Sequence, residues 1–176
     1  MFSPRAAHTE SGIHTRMRAL METLQRDFDF ATFTWPGFLA WLAERLGKQV
    51  HCVPMPLHAD DLFGSWISTP QVEYIFYDAT ALPVHQLHIQ LHEIAHILCG
   101  HETVEIHEPV ELATLMESLE QVRLRRTDRG EIEQEVEILT ALIQESVFRH
   151  GRQAALTRFD FQNQDEVRLV QMMELG

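Results

Sequence analysis

The sequence predicts an α+β protein, mostly helical, with a small antiparallel sheet packed beside one central helix. Three observations lead there. Apolar residues recur at helical spacing over long stretches at both ends of the chain. Short runs rich in β-branched and aromatic residues lie between Gln49 and Asp78, and a histidine-rich helical segment follows them directly. With 176 residues, 45% of them hydrophobic and 23% charged, the chain fits a single domain over 1–176 with a sizeable core.

In chain order, residues 1–11 are polar and are expected to fray. From Ile13 to Phe28, Met17, Leu20, Met21 and Leu24 line one face of a first helix. Trp35-Pro36 opens a second, with Pro at an early helical position. Phe38, Leu39, Trp41, Leu42 and Leu46 form its core face, and Gly47 stops it. These aromatics are read as packing, not as a ligand box. Gln49 to Pro56 alternates as a strand does, and His58 to Gly64 is a loop in which Asp60-Asp61 makes a solvated turn. Ser65 to Ser68 and Glu73 to Asp78 give two further strands, separated by Thr69-Pro70. Pro83 begins the histidine-rich helix and Gly100 allows it to end. A polar connection from His101 to Pro109 leads to a helix over Val110 to Leu124, and another runs from Gly130 to Arg149. An irregular link from residue 151 and a short helix from Asp165 to Leu175 complete the chain.

A net charge of −12 disfavours nucleic acid and anionic membranes, so a macromolecular partner would offer a neutral or basic surface. Arg123, Arg125, Arg126 and Arg129 are read as cations at a helix C-terminus rather than a nucleic-acid patch. Two distant cysteines, Cys52 and Cys99, form no CxxC pair and suit a reducing compartment. The N-terminus lacks the apolar core of a signal peptide, and no run of about 18 apolar residues spans a membrane. A cytoplasmic location is the expectation.

The segment Gln86 to His101, QLHIQLHEIAHILCGH, contains an HExxH motif at His92-Glu93-Ile94-Ala95-His96. On a helix, positions 92 and 96 lie one turn apart, about 5–6 Å between β-carbons, where two neutral imidazoles can close on one Zn²⁺. Glu93 sits about 100° round the helix, free to act as a base toward water instead of ligating. Leu91, Ile94, Ala95 and Leu98 make an apolar stripe that buries another side. Two merely solvated histidines would not require that stripe. His85 and His88 fall in the same histidine row and are read as rim residues, with a solvated role equally open.

A catalytic zinc site keeps three protein ligands and one open position. The metzincin solution, a third histidine six residues on, fails, because that position is Glu102 and Gly100 and His101 are out of register. A glutamate on a later helix is the other common solution. Glu131, Glu133, Glu135 and Glu137 are the candidates, and an acidic, solvated helix start would also explain them.

Over Gln49 to Ile143 the chain resembles the ImmA/IrrE family of metallopeptidases, in the lead-in FGSWISTPQVEYIFYD, the segment LHEIAHILCGH and the downstream EQEVEILTALI. The resemblance implies a zincin-like fold, one zinc per chain, and Glu133 as third ligand beside His92 and His96. Val136 and Glu137 depart from the family's Ala and Asn. Glu137 shares a face with Glu133 and can accept a hydrogen bond from a ligating histidine. Glu135, which falls inside the helix's apolar arc between Leu139 and Leu142, wants a partner there and is the rival ligand.

The function expected is zinc-dependent endopeptidase activity, with Glu93 as the general base. His101, His107, Tyr74 and Tyr77 are candidate donors to the oxyanion. The resemblance implies a narrow protein substrate, commonly a separate helix-turn-helix transcriptional repressor, since this chain has no convincing DNA-binding helix pair. The alternative is a zinc-containing regulatory module that binds its partner without cleaving it.

Overall fold

The computed structural model describes residues 4–55, 64–105 and 130–150. The expected helices over Val110 to Leu124 and Asp165 to Leu175, the arginine cluster, Asp60-Asp61 and His107 lie outside the described residues. Four α-helices, one 3₁₀ turn and four strands make up the rest: α1 (Pro4–Asp27), the turn Phe30–Thr32, α2 (Trp35–Leu46), β1 (Gln49–Met55), β2 (Gly64–Ser68), β3 (Val72–Asp78), α3 (Pro83–Cys99), β4 (Val104–Glu105) and α4 (Gly130–His150). The fold is mixed α+β, as expected. α1 starts at Pro4, nine residues before the expected Ile13. A proline suits the first turn, and Ala6 and Ala7 are strong helix formers.

Local chemistry sets the boundaries of α2 and α3. Thr34 caps α2 by accepting a hydrogen bond from the Gly37 amide at 3.2 Å. Gly47 ends α2 and Gly100 ends α3 with φ of 66° and 70°, the left-handed region that favours glycine. Phe28, Phe30, Phe33, Phe38 and Trp41 pack edge-on, tilted or stacked at the junction of α1 and α2, with centroids 5.0–6.2 Å apart.

The sheet corrects the expectation of three antiparallel strands. It has four, in the order β1-β3-β2-β4, and it is mixed: β2 runs antiparallel to β3, while β1 is parallel to β3 and β4 is parallel to β2. A tight turn joins β2 to β3, with the Thr69 amide bonded to the Val72 carbonyl at 2.9 Å. β3 then inserts between β1 and β2 instead of adding at the outside. Ile75, Phe76 and Tyr77 are all buried, and a strand buried on both faces belongs in the middle of a sheet. β4 pairs only Val104 with Ile67 and Glu105 with Ser68, within the stretch expected to be irregular.

A buried polar hub ties β2 and β3 to Lys48, the residue before β1. Glu73, 4% exposed, accepts hydrogen bonds from Trp66 Nε1 (2.6 Å), Ser68 Oγ (2.9 Å) and Lys48 Nζ (2.6 Å). Each lone pair of a buried carboxylate that finds a donor removes part of its desolvation cost.

α3 lies between the sheet, which it meets at β2 and β3, and α4, while α1 packs on α4 and touches the end of α3 where Met17 meets Cys99. Leu87, Leu91, Ile94, Ala95 and Ile97 are buried, and Leu98 packs at the core's edge. Each fully buried Leu or Ile contributes roughly 1.5–3 kcal/mol, so burial fixes this helix firmly. Val136, Leu139, Ile143 and Val147 bring α4 into the same core. The two helices are thereby held side by side.

Candidate metal centre

The two helices present their polar residues across a shared seam. From α3 come His92 and His96; from the first turn of α4 comes Glu133. Glu133 Oε2 lies 3.3 Å from His92 Nε2, and its Oε1 lies 3.7 Å from His96 Nε2. One ligand atom from each of the three lies within 4.8 Å of the others. Two imidazoles and a carboxylate at that spacing are a donor set for a divalent metal, and they fit Zn²⁺ with a fourth position left over. The His96 side chain is 6% exposed and that of Glu133 is 37% exposed, so the cluster is closed on the α3 side and open on the other.

Glu137 stands one turn beyond Glu133, and its Oε1 lies 3.2 Å from His92 Nδ1. His92 therefore has a carboxylate at each ring nitrogen. With Nε2 turned to the cluster, Nδ1–H can donate to Glu137, which orients the ring. Burial pulls the His92 pKa down, but the hydrogen bond with Glu133 and the charges of Glu93, Glu133 and Glu137 together outweigh it, and the net shift is upward.

Glu135 is placed elsewhere. Its Oε1 pairs with Arg16 of α1 and its Oε2 lies 3.2 Å from His101 Nε2. The partner that an apolar arc demands is thus supplied by a cation 119 residues away in sequence and by a histidine just past α3. His101 is not turned toward the open side of the cluster. Its Nδ1 lies 3.1 Å from His96 Nδ1, so both of its ring nitrogens are engaged within the protein.

Glu93 points to the sheet side of α3 and is 2% exposed. The backbone of β2 passes close to it at Gly64. A β-carbon there would meet Ile89 Cγ2 at 2.5 Å and Glu93 Oε1 at 3.0 Å, so only glycine leaves the carboxylate its place. Tyr77, 2% exposed and paired in register with Gly64, belongs to the core beneath α3. Tyr74 lies on the opposite face of the sheet, with its ring 5.9 Å from that of His51. Its hydroxyl is thereby kept from the cluster.

Two further metal-capable groups adjoin the first: His88 with His92 and Glu137, and Cys99 with His101 and Glu135. His85 is exposed, and His88 Nδ1 lies 3.4 Å from Gln144 Oε1, a position at the rim.

Sequence reasoning missed Gly64 and Arg16. A lone glycine opening an aromatic strand is a signal of close backbone approach. Nothing in the sequence announces the partnership of Arg16 with Glu135. Compared with known proteins, the chain matches no family model, no curated protein and no solved structure.

Proposed function

We propose that the chain is a zinc-dependent endopeptidase of zincin-like fold that hydrolyses a peptide bond in a specific protein partner. The observation that supports the reading most is the convergence of His92, His96 and Glu133 across the α3–α4 seam, with a buried carboxylate, Glu93, next to the first ligand. Zn²⁺ held by those three residues would supply Lewis acidity to a scissile carbonyl and make water a better nucleophile at neutral pH.

The chain's own residues do the rest. Glu93 takes the proton of the attacking water and delivers it to the leaving amine. Gly64 leaves room for the carboxylate on the strand side, so its orientation is set before substrate arrives. Glu137 holds the His92 ring from behind. The partner proposed, on the resemblance to ImmA/IrrE peptidases, is a separate helix-turn-helix repressor in the cytoplasm. Among the described residues no helix is long and apolar enough to cross a membrane.

The test uses zinc-loaded protein, wild type and Glu93→Gln, added to lysate of cells that lack the protein, with N-terminal labelling and mass spectrometry. New N-termini that arise with wild type and not with Glu93→Gln, while both bind equal zinc, support the reading. The same N-termini from both proteins would sink the proposed role of Glu93. If neither produced any and both retained a bound partner, the zinc-containing regulatory module would replace the peptidase.

A further inference from the structure

The back of His96 meets a line of polar groups that the proposed chemistry does not use. Arg16 Nη2 donates to Glu135 Oε1. Glu135 Oε2 lies 3.2 Å from His101 Nε2, and His101 Nδ1 lies 3.1 Å from His96 Nδ1. The His101 amide also donates to the His96 carbonyl at 3.1 Å, tying the two residues through the end of α3. The imidazoles meet edge to face, 5.2 Å between centroids. The His101 and Glu135 side chains are only 9% and 18% exposed, so water competes little for these contacts.

With His101 neutral, the hydrogen-bonding capacities along this line leave one arrangement. A guanidinium only donates and a carboxylate only accepts. His101 Nε2 must then carry the hydrogen that meets Glu135. In a neutral ring that makes His101 Nδ1 a bare acceptor, and the hydrogen between the two Nδ1 atoms belongs to His96. His96 Nε2 is then the unprotonated nitrogen of the ring. That is the atom facing Glu133.

We propose that Arg16, Glu135 and His101 form a positioning relay that fixes the ring of His96 and selects the tautomer able to ligate metal through Nε2. The inference rests on the metal reading above and deepens it. His101 and Glu135 are positioning residues here, neither oxyanion donor nor ligand. The rival use of the same atoms, a second metal held by Cys99, His101 and Glu135, meets competition at every donor. Arg16 already supplies a cation to Glu135, and the Cys99 thiol is directed at Met17 Sδ, 3.8 Å away.

Two measurements on the full chain test the relay. Long-range ¹H–¹⁵N spectra of the chelator-treated protein report each imidazole's tautomer without any metal. The relay requires His96 as the Nδ1–H form and His101 as the Nε2–H form, with His96 released to a mixture in His101→Phe. Zinc affinity, read by competition with a chromophoric chelator, should fall about 10- to 100-fold in His101→Phe and Glu135→Ala, with one metal per chain still bound at saturation. The visible spectrum of the Co²⁺ form should shift in the same variants. His101→Gln, which keeps a donor and an acceptor, should recover most of the affinity. The opposite tautomers, or unchanged affinity and Co²⁺ spectrum in both variants, would overturn the relay. Two metals per wild-type chain, one of them lost in His101→Phe, would overturn it in favour of the second site. If the tautomers are as required but the folded wild type binds no metal, the zinc reading falls, and the relay's ligand-selecting role falls with it. Wrong tautomers in a zinc-binding protein would remove the relay alone.

Discussion

Replacing Gly64 by alanine perturbs the proposed chemistry without touching a ligand. The added methyl would sit 2.5 Å from Ile89 Cγ2, 3.0 Å from Glu93 Oε1 and 3.3 Å from Glu93 Cγ. Carbon atoms pack comfortably at about 3.5–4.0 Å, so β2 and α3 must part by about 1 Å or Glu93 must swing aside. Neither is easy, because Ile89 is 4% exposed and Glu93 2% exposed. Overpacking a well-filled core by one methyl costs about 1–3 kcal/mol. In a chain of this size that lowers Tm by roughly 2–12 °C. Moving a catalytic group by about 1 Å costs on the order of 100-fold in rate. The three nearest atoms to the added methyl belong to Ile89 and Glu93 and none to a proposed ligand, so zinc content should stay as in wild type. Thermal unfolding, metal analysis and the rate at which Glu93-dependent N-termini appear read these three effects separately. Wild-type stability together with wild-type cleavage in Gly64→Ala would refute the claim that β2 holds Glu93 in place.

Further predictions concern the hub, the thiol and the pH response. Glu73→Ala removes the acceptor of the buried Trp66 indole N–H and the counter-charge of Lys48, whose ammonium keeps Ser68 Oγ, and should cost about 2 kcal/mol, measured by urea unfolding followed by tryptophan fluorescence. Burial first, and then the Glu135 charge, push the Cys99 thiol up to about 11, while Arg16 draws it down. Alkylation of Cys99 at mildly alkaline pH should therefore be about two orders of magnitude slower than that of a free cysteine with a pKa of about 8.5. Arg16→Ala should slow it further and Glu135→Gln should speed it, as read at the Cys99 peptide by mass spectrometry. The folded pKa of His92 is raised. Its contribution to the stability of the metal-free chain is then fully present below the ordinary value of about 6.5 and is lost as pH rises through the higher folded value. Urea midpoints of chelator-treated wild type should decline relative to His92→Gln across that window.

Much of this arrangement was legible along the chain because its signals are local. Pro83 and Gly100 bound the motif helix, Trp35-Pro36 and Gly47 bound α2, and the 92/96 spacing on a helix forces two imidazoles together. What escaped depends on distant partners. β4 is two residues long and has no strand character apart from its pairing with Ile67 and Ser68. The direction of β1 followed from where β3 inserted, and strand order has no local signature. Glu133 and Glu135 differ by two positions on one helix, and a wheel ranks them only by apolar neighbours. The ion pair of Glu135 with Arg16 comes from the packing of α1 on α4, which no local pattern encodes.

The central claim, that one metal is held between α3 and α4, is tested most directly by metal content per chain. Purified wild type, His92→Ala, Glu133→Ala and Glu135→Ala would be loaded with zinc, desalted and analysed, with folding checked by circular dichroism. One zinc per chain is predicted for wild type, none for His92→Ala and Glu133→Ala, and one at saturating zinc for Glu135→Ala. A folded wild type without zinc, or a Glu133→Ala variant that keeps it tightly while Glu135→Ala does not, would contradict the account.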